Sequence, residues 1–397
     1  MKASPSSRRP CVVPALVLLV AGAGGALPIP QEQGRRPVVP EAGAYAAHEW
    51  GTFTSVLDAG GRALTWNPFG FFAPLPGFVH RNLEVKPNQW GTVRMETPVV
   101  YIHAERELTI HARVGFPSGV LTEWYPSAEV SDSALAWNGI EVSPGLETLL
   151  PTSLAGEHYY AARGVAAAHL RARSGEAEKF LFYRGVGSFE QPLSVRVLGS
   201  GEERAFALEN RGPETLDRVF LFESRSGKAG LLELRGLAPG EALRVARSEL
   251  VLGDELSLVP LERLLRAHGL FEDEAQAMLA TWRRDWFEPG LRAFYVLPRA
   301  RTDALLPLTL TPAPERLERV LVGRLELIEP ELERALLEAA RAVAAGAKPE
   351  IAFERTATTR FALAVLQGHY ESEPALMAAE RPLIAWLERQ AERREAR

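Results

Sequence analysis

The 397-residue chain has a single cysteine, no excess of basic residues and no apolar run long enough to span a membrane. One cysteine, Cys11, excludes an intrachain disulfide framework and any zinc site built on several thiolates. With 45 Lys+Arg against 50 Asp+Glu, the net charge of −5 argues against a nucleic-acid partner, which calls for a basic surface. Fixed-spacing chemical signatures are missing as well. There is no HExxH, GxSxG, Walker loop, GxGxxG turn or EF-hand loop, so no cofactor is specified. What remains is ordinary globular material, 46% hydrophobic, of a length that suits about two or three domains.

The N-terminus is the clearest segment. Lys2, Arg8 and Arg9 form a basic region, Cys11 to Ala21 is apolar but for Pro14, and Gly22 to Ala26 are small. Charge, length and small-x-small spacing predict a signal peptide over 1–26. The apolar stretch is about half of what a membrane span needs. Removing Lys2, Arg8 and Arg9 with that segment takes the net charge from −5 to −8 and discards the cysteine. The expected protein is therefore exported, periplasmic or secreted, with no integral membrane span after cleavage. Residues 27–44, rich in Pro, Gly and Gln, read as a disordered linker.

Beyond the linker the expected fold is mainly β with an α-rich C-terminal region. Residues 45–175 read as an aromatic-rich β domain, holding five of the eight Trp and five of the eight Tyr. Leu108 to Phe116 alternates apolar and polar at period two, the mark of a half-buried strand. Val93 to His103 is also extended, with Pro98 implying an edge or a bulge. Residues 176–254 carry short runs every 10–13 residues, at 180–184, 193–198, 204–209, 218–223, 231–234 and 242–247. That spacing predicts an immunoglobulin-like antiparallel sandwich. Residues 255–397 read as an α+β part. Helices are expected over 256–268, 272–287, 330–344, 356–367 and 374–394, with strands at 291–297, 305–310 and 319–327. Gly269 suits a helix C-cap and Pro330 a helix N1 position.

Several residues are candidates for chemistry. His48-Glu49 beside Trp50-Gly51 offers an imidazole and a carboxylate that could share a metal ion or a proton, or else hydrogen-bond within a strand. Arg94 and Glu96 share a face of an alternating strand. Glu96 and Glu123 supply two carboxylates, the raw material of glycoside hydrolysis, or else of structural ion pairs. Trp50, Trp124 and Tyr125, with Arg94, are candidates for binding a sugar or peptide, since aromatic faces stack on sugar rings. The alternative is that these aromatics are core. The other histidines, His103 and His111 among them, read as surface residues.

HEWGTFT at 48–54, RMETP at 94–98, TEWYP at 122–126, FLFYRGVG at 180–187 and VGRLE at 322–326 together resemble an uncharacterised family of exported bacterial proteins. The resemblance spans nearly the whole mature chain and implies a bacterial source and an exported destination. It implies no activity. The expected function is binding of a saccharide, peptide or other cell-envelope ligand through the aromatic N-terminal β domain. The alternative is a hydrolase, metal-assisted or glycan-directed, using His48, Glu49, Glu96 and Glu123. A purely structural assembly subunit is the third possibility.

Overall fold

The computed structural model describes residues 45–66, 75–82, 91–131, 133–145, 149–154, 157–349, 351 and 357–395. The expected signal peptide and linker, and the aromatic loop at 67–72, lie outside the described residues.

The chain is mainly β, with its longer helices toward the C-terminus. The first strands are β1 (Tyr45–Leu57), β2 (Ala63–Leu64), β3 (His80–Arg81), β4 (Val93–Ala104), β5 (Leu108–Gly115), β6 (Gly119–Tyr125), β7 (Glu129–Ser131) and β8 (Ala134–Ser143). A short helix α1 (Glu157–Tyr160) follows. Next come β9 (His169–Arg171), β10 (Ala177–Glu178), β11 (Phe180–Gly187), β12 (Leu193–Leu198), β13 (Ala205–Asn210), β14 (Val219–Arg225), β15 (Lys228–Leu234) and β16 (Ala242–Ala246). The C-terminal part holds α2 (Val259–Ala267), α3 (Glu272–Trp286), β17 (Gly290–Val296), α4 (Arg299–Leu305), β18 (Leu308–Thr311) and β19 (Arg316–Leu327). Three helices end it: α5 (Pro330–Ala344), α6 (Ala357–Gln367) and α7 (Leu376–Glu395). No described helix is long and apolar enough to cross a membrane.

One large sheet runs β15-β14-β17-β19-β1-β4-β11-β6-β3, with β2 on β1. It takes strands from all three sequence segments, so the boundaries near 175 and 254 do not divide it. Its centre joins the first and last strands, β1 and β19, in parallel. The central segment forms the expected strands, but they separate. β11, β14 and β15 enter the large sheet, while β12, β13 and β16 form a three-stranded sheet of their own. Strand spacing predicts strands; it says nothing about which neighbour each will find. A further sheet, β10-β9-β8-β5-β18, carries the alternating strand expected near 108–116. The stretch at 299–305, by contrast, is helix α4 and delays β18 to Leu308.

Both faces of the large sheet are covered. On one face, Phe53, Leu321 and Leu181 pack with residues of the two smaller sheets, such as Val195, Phe206, Ile110 and Trp137. On the other face, Trp50, Val99, Phe182 and Val322 pack under α2 and α3, through Leu261, Leu265, Met278, Trp282 and Trp286. Further along that same face Val56 and Ile328 pack under α5, α6 and α7. Two apolar patches thus share one sheet face, and the strands between them must carry something else.

Candidate functional site: a charged seam in the sheet face

Between these patches the strands turn polar. On β1, Trp50 belongs to the first patch, Val56 to the last, and Thr52 and Thr54 lie between. On β19, Val322 gives way to Arg324 and Glu326 before Ile328. On β4 the corresponding residues are Arg94 and Glu96, and on β11 Arg184. Arg292 on β17 pairs in register with Glu326. Most of these side chains are buried, so the seam is an ionic layer inside the protein.

A bulge builds it. Trp50 pairs with Val99 but Thr52 with Glu96, so β4 carries one extra residue there. The extra residue reverses the faces taken by side chains on its two sides. Glu96 and Arg94 therefore join Thr52 and Thr54, although strict alternation would set them opposite Val99. Thr97 sits at φ 48°, the left-handed region that a β-branched residue rarely adopts. Gly51 faces the bulge, where a Cβ would come within 2.9 Å of the Pro98 backbone. The expectation that Pro98 marks an edge or a bulge resolves to a bulge in a central strand.

The contacts within the seam are specific. Thr54 Oγ1 donates to Glu96 Oε2 at 3.0 Å, and Arg94 Nε lies 3.7 Å from Glu96 Oε1. Arg324 Nη1 lies 3.8 Å from Glu96 Oε2. Arg324 Nη2 bonds Glu326 and donates to the Asp285 carbonyl at 2.9 Å. That carbonyl is in the last turn of α3, where a cation meets the negative end of the helix. Arg292 Nε donates to Glu326 at 2.7 Å. Arg184 donates to Thr97 Oγ1 and, at 3.2 Å, to His158 Nε2. Burial, reinforced by the Arg184 charge, pushes His158 down to about 4, so its ring is neutral at pH 7.

Four polar atoms in this seam have no hydrogen-bond partner among the described residues: Glu96 Oε1, Thr52 Oγ1, and Arg324 Nε and Nη1. Buried polar atoms are almost always satisfied, so a group of orphans on adjacent strands marks a place for water or ligand. An open cleft of about 570 Å³ lies elsewhere, around the β1–β2 turn and the start of β12. Its arginines are engaged: Arg62 with Asp58, Arg211 with Glu209, Arg301 with the Glu190 carbonyl.

The residues singled out from sequence fall in three places. Arg94 and Glu96 are in the seam. Glu123 is at its margin, in register with Arg184. The strand of Arg184 therefore separates the backbones of Glu123 and Glu96, which stand roughly 10 Å apart at two inter-strand spacings. Trp50, Trp124 and Tyr125 are 0%, 8% and 2% exposed, so they pack in the core and present no open stacking face. His48 and Glu49 point to opposite faces of β1. Glu49 accepts from Tyr183 and, at 2.6 Å, from its register partner Arg319, which also bonds Asp303. That pair locks β1 to β19 on the face of the smaller sheets. His48 lies four residues before Thr52, roughly 13 Å along the strand, so it does not converge with Glu96.

His48 has other partners, which the sequence reading missed. Its Nδ1 is 2.8 Å from Glu274 Oε2, and His103 Nε2 is 2.9 Å from Glu274 Oε1. Burial raises the Glu274 carboxyl, but bonds from His103 and His48 and the Phe271 amide outweigh it and hold it at about 2. No sequence signal links His103 to a glutamate 171 residues away.

No family model matches the chain, and no curated protein matches it. Among solved structures, the yeast delta-COP-I mu-homology domain in complex with a Dsl1 WxWxV peptide has a TM-score of 0.30 at 10% identity. The match covers 73% of this chain and 98% of that one. The same yeast domain alone scores 0.29 at 10% identity, with the same coverage. Red sea bream transglutaminase scores 0.15 at 8% identity, over 65% of this chain and 30% of that one. Similarity this low supports no inference about this chain. The fold and site define a mainly-β protein with a buried charged seam.

Proposed function

We propose that this is an exported bacterial binding protein, and that its ligand is a hydroxyl-rich molecule of the saccharide class held in the seam. One observation carries the reading: the buried atoms of Glu96, Thr52 and Arg324 that have no hydrogen-bond partner among the described residues, although Glu96 stands within ion-pair distance of Arg94 and Arg324. Together they offer an acceptor, a hydroxyl that can do either, and two donors. Sugar hydroxyls donate and accept at once and match that mixture. A free anion would meet Glu96 and Glu326, so the seam suits a neutral polar ligand better. The recognition is polar rather than by stacking, because Trp50, Trp124 and Tyr125 are in the core. Entry requires opening at the C-terminal end of α3, which covers Arg324.

Thr52→Val is the sharpest test. It removes a buried hydroxyl that bonds no described residue, so the thermal midpoint should hold or rise. Calorimetry against cell-wall oligosaccharides selected on a glycan array should show at least about tenfold weaker binding, the worth of a lost hydrogen bond. No glycan bound, or equal binding by wild type, Thr52→Val and Glu96→Gln, would end this reading.

Glycoside hydrolysis is the second reading, favoured by a buried carboxylate, Glu96, with one oxygen that has no hydrogen-bond partner among the described residues. Carboxyls on strands roughly 10 Å apart sit near the upper limit for an inverting pair and too far for a retaining one. Turnover of a reporter glycoside, lost in both Glu96→Gln and Glu123→Gln while binding persists, would establish it.

A further inference from the structure

A second cluster of chemistry-bearing side chains sits away from the seam. His48 on β1 and His103 on β4 are diagonal neighbours, since Ala46 pairs with His103 and His48 with Tyr101. Their rings are 4.9 Å apart. Glu274, in the first turn of α3, reaches between them. One ligand atom from each of the three residues can be chosen so that all lie within 4.8 Å of one another. The seam meets the same helix at its other end, through Asp285. Glu274 and Asp285 are eleven positions apart on the helix, roughly 16 Å at 1.5 Å per residue.

We propose that His48 Nδ1, His103 Nε2 and a Glu274 carboxylate oxygen bind a divalent cation of the zinc class. Two imidazoles and one carboxylate are a borderline donor set that suits zinc and its transition-metal neighbours and not calcium or magnesium. Three protein ligands leave one tetrahedral position for water or ligand. His103 is the open side, with its side chain 16% exposed, whereas His48 and Glu274 are closed off. The carboxylate is already oriented from behind: the Phe271 amide donates to Glu274 Oε2 at 2.7 Å. The Phe271 ring walls the cluster at 4.5 Å from His48 and 5.0 Å from His103.

The contacts of 2.8 and 2.9 Å are those of imidazole N–H groups bonded to the carboxylate. Metal binding exchanges them. Each imidazole must present its lone pair at the nitrogen now facing Glu274, and its proton moves to the other ring nitrogen. For His48 that nitrogen is Nε2, which lies 3.5 Å from Arg316 Nη2. A donor would then face a cation. Arg316 opposes the metal both by this clash and by its charge, and its half-exposed side chain has room to move aside. The structure thus assigns Arg316 as a residue that weakens the site.

The test is a zinc titration of the full chain, stripped of metal and competed against a chromophoric chelator. Cobalt absorption reports the coordination geometry. The expected result is one equivalent bound, with at least a hundredfold loss in His103→Ala, the least buried of the three ligands, its fold checked by circular dichroism. Arg316→Gln should tighten binding several-fold, which a merely structural histidine cluster would not do. Zinc should also raise the thermal midpoint of wild type and leave that of His103→Ala unchanged. Equal affinity in wild type and His103→Ala, or calcium binding as well as zinc, overturns the proposal. It is independent of the saccharide reading, since it uses none of the residues of the seam, and Thr52→Val should leave the zinc titration unaltered.

Discussion

His158 illustrates what a single buried residue contributes. It is held neutral at about 4 by burial and by Arg184, against 6.5 for the free side chain. The unfolded chain binds a proton between those values and the folded chain does not. Stability is therefore greatest above pH 6.5, falls as pH drops toward 4, and levels off below. At pH 5 the loss from this residue should reach about 2 kcal/mol at most. Urea unfolding of wild type and His158→Gln at pH 7.5 and pH 5 checks it: the variant should lose most of the difference. Glu274 does not confuse the comparison. Its carboxyl is depressed from 4.5 to about 2, so its contribution is present above 4.5 and is lost only as pH falls through that lower window. Of the residues in the seam, sequence offered Arg94, Glu96 and Glu123 as candidates, because charged residues within strand-like runs stand out. Thr52, Arg184 and Arg324 fall within the motifs at 48–54, 180–187 and 322–326, where nothing in the sequence gives them a role. A threonine or arginine is unremarkable until its partners are counted.

At the scale of elements, β1 and β19 hold the molecule together. Glu49 and Arg319 are in register across that parallel pair and are buried with Tyr183. Removing one charge strands the other in a low-dielectric interior. Glu49→Gln should therefore cost about 3 kcal/mol, the lower end of the usual range because Arg319 keeps Asp303. Urea unfolding measures this, and a loss below about 1 kcal/mol would show that the pair does not lock the strands. Helix α3 was legible from end to end. It is the helix expected over 272–287, and its acidic first turn, its basic last turn and the four-residue spacing of Trp282 and Trp286 suit a helix with one buried face. What its two termini meet was not legible: one reaches His48 and His103 and the other Arg324. The bulge in β4 was visible only as Pro98. Its consequence, turning Glu96 onto the face of Thr52, depends on the register with β1.

At the scale of the whole molecule, the aromatic asymmetry of the N-terminal half has a different meaning from the one composition suggests. Trp50, Trp66 and Trp137 are fully buried, as packing between layers rather than as a binding surface. Export, proposed on the sequence of residues 1–26 alone, makes a joint prediction. Protein recovered from periplasm or medium should begin after Ala23 or Ala26 by N-terminal sequencing. It then lacks Cys11, and its melting temperature should be the same with and without dithiothreitol. A full-length N-terminus in the exported fraction, or a shift with reductant, would contradict it.

Composition and period determined the class by themselves: mainly β, with helices gathered at the C-terminus. These follow from local preferences, in which a residue's neighbours along the chain set its backbone. The tertiary structure alone decided that strands from three segments share one sheet. It also decided that Glu49 leaves His48 for Arg319, and that His103 and Glu274 take its place. The physical reason is common to all of these. Strand pairing and side-chain convergence join residues far apart in sequence, and a strand carries no mark of its partner until register and bulges fix which face each side chain takes.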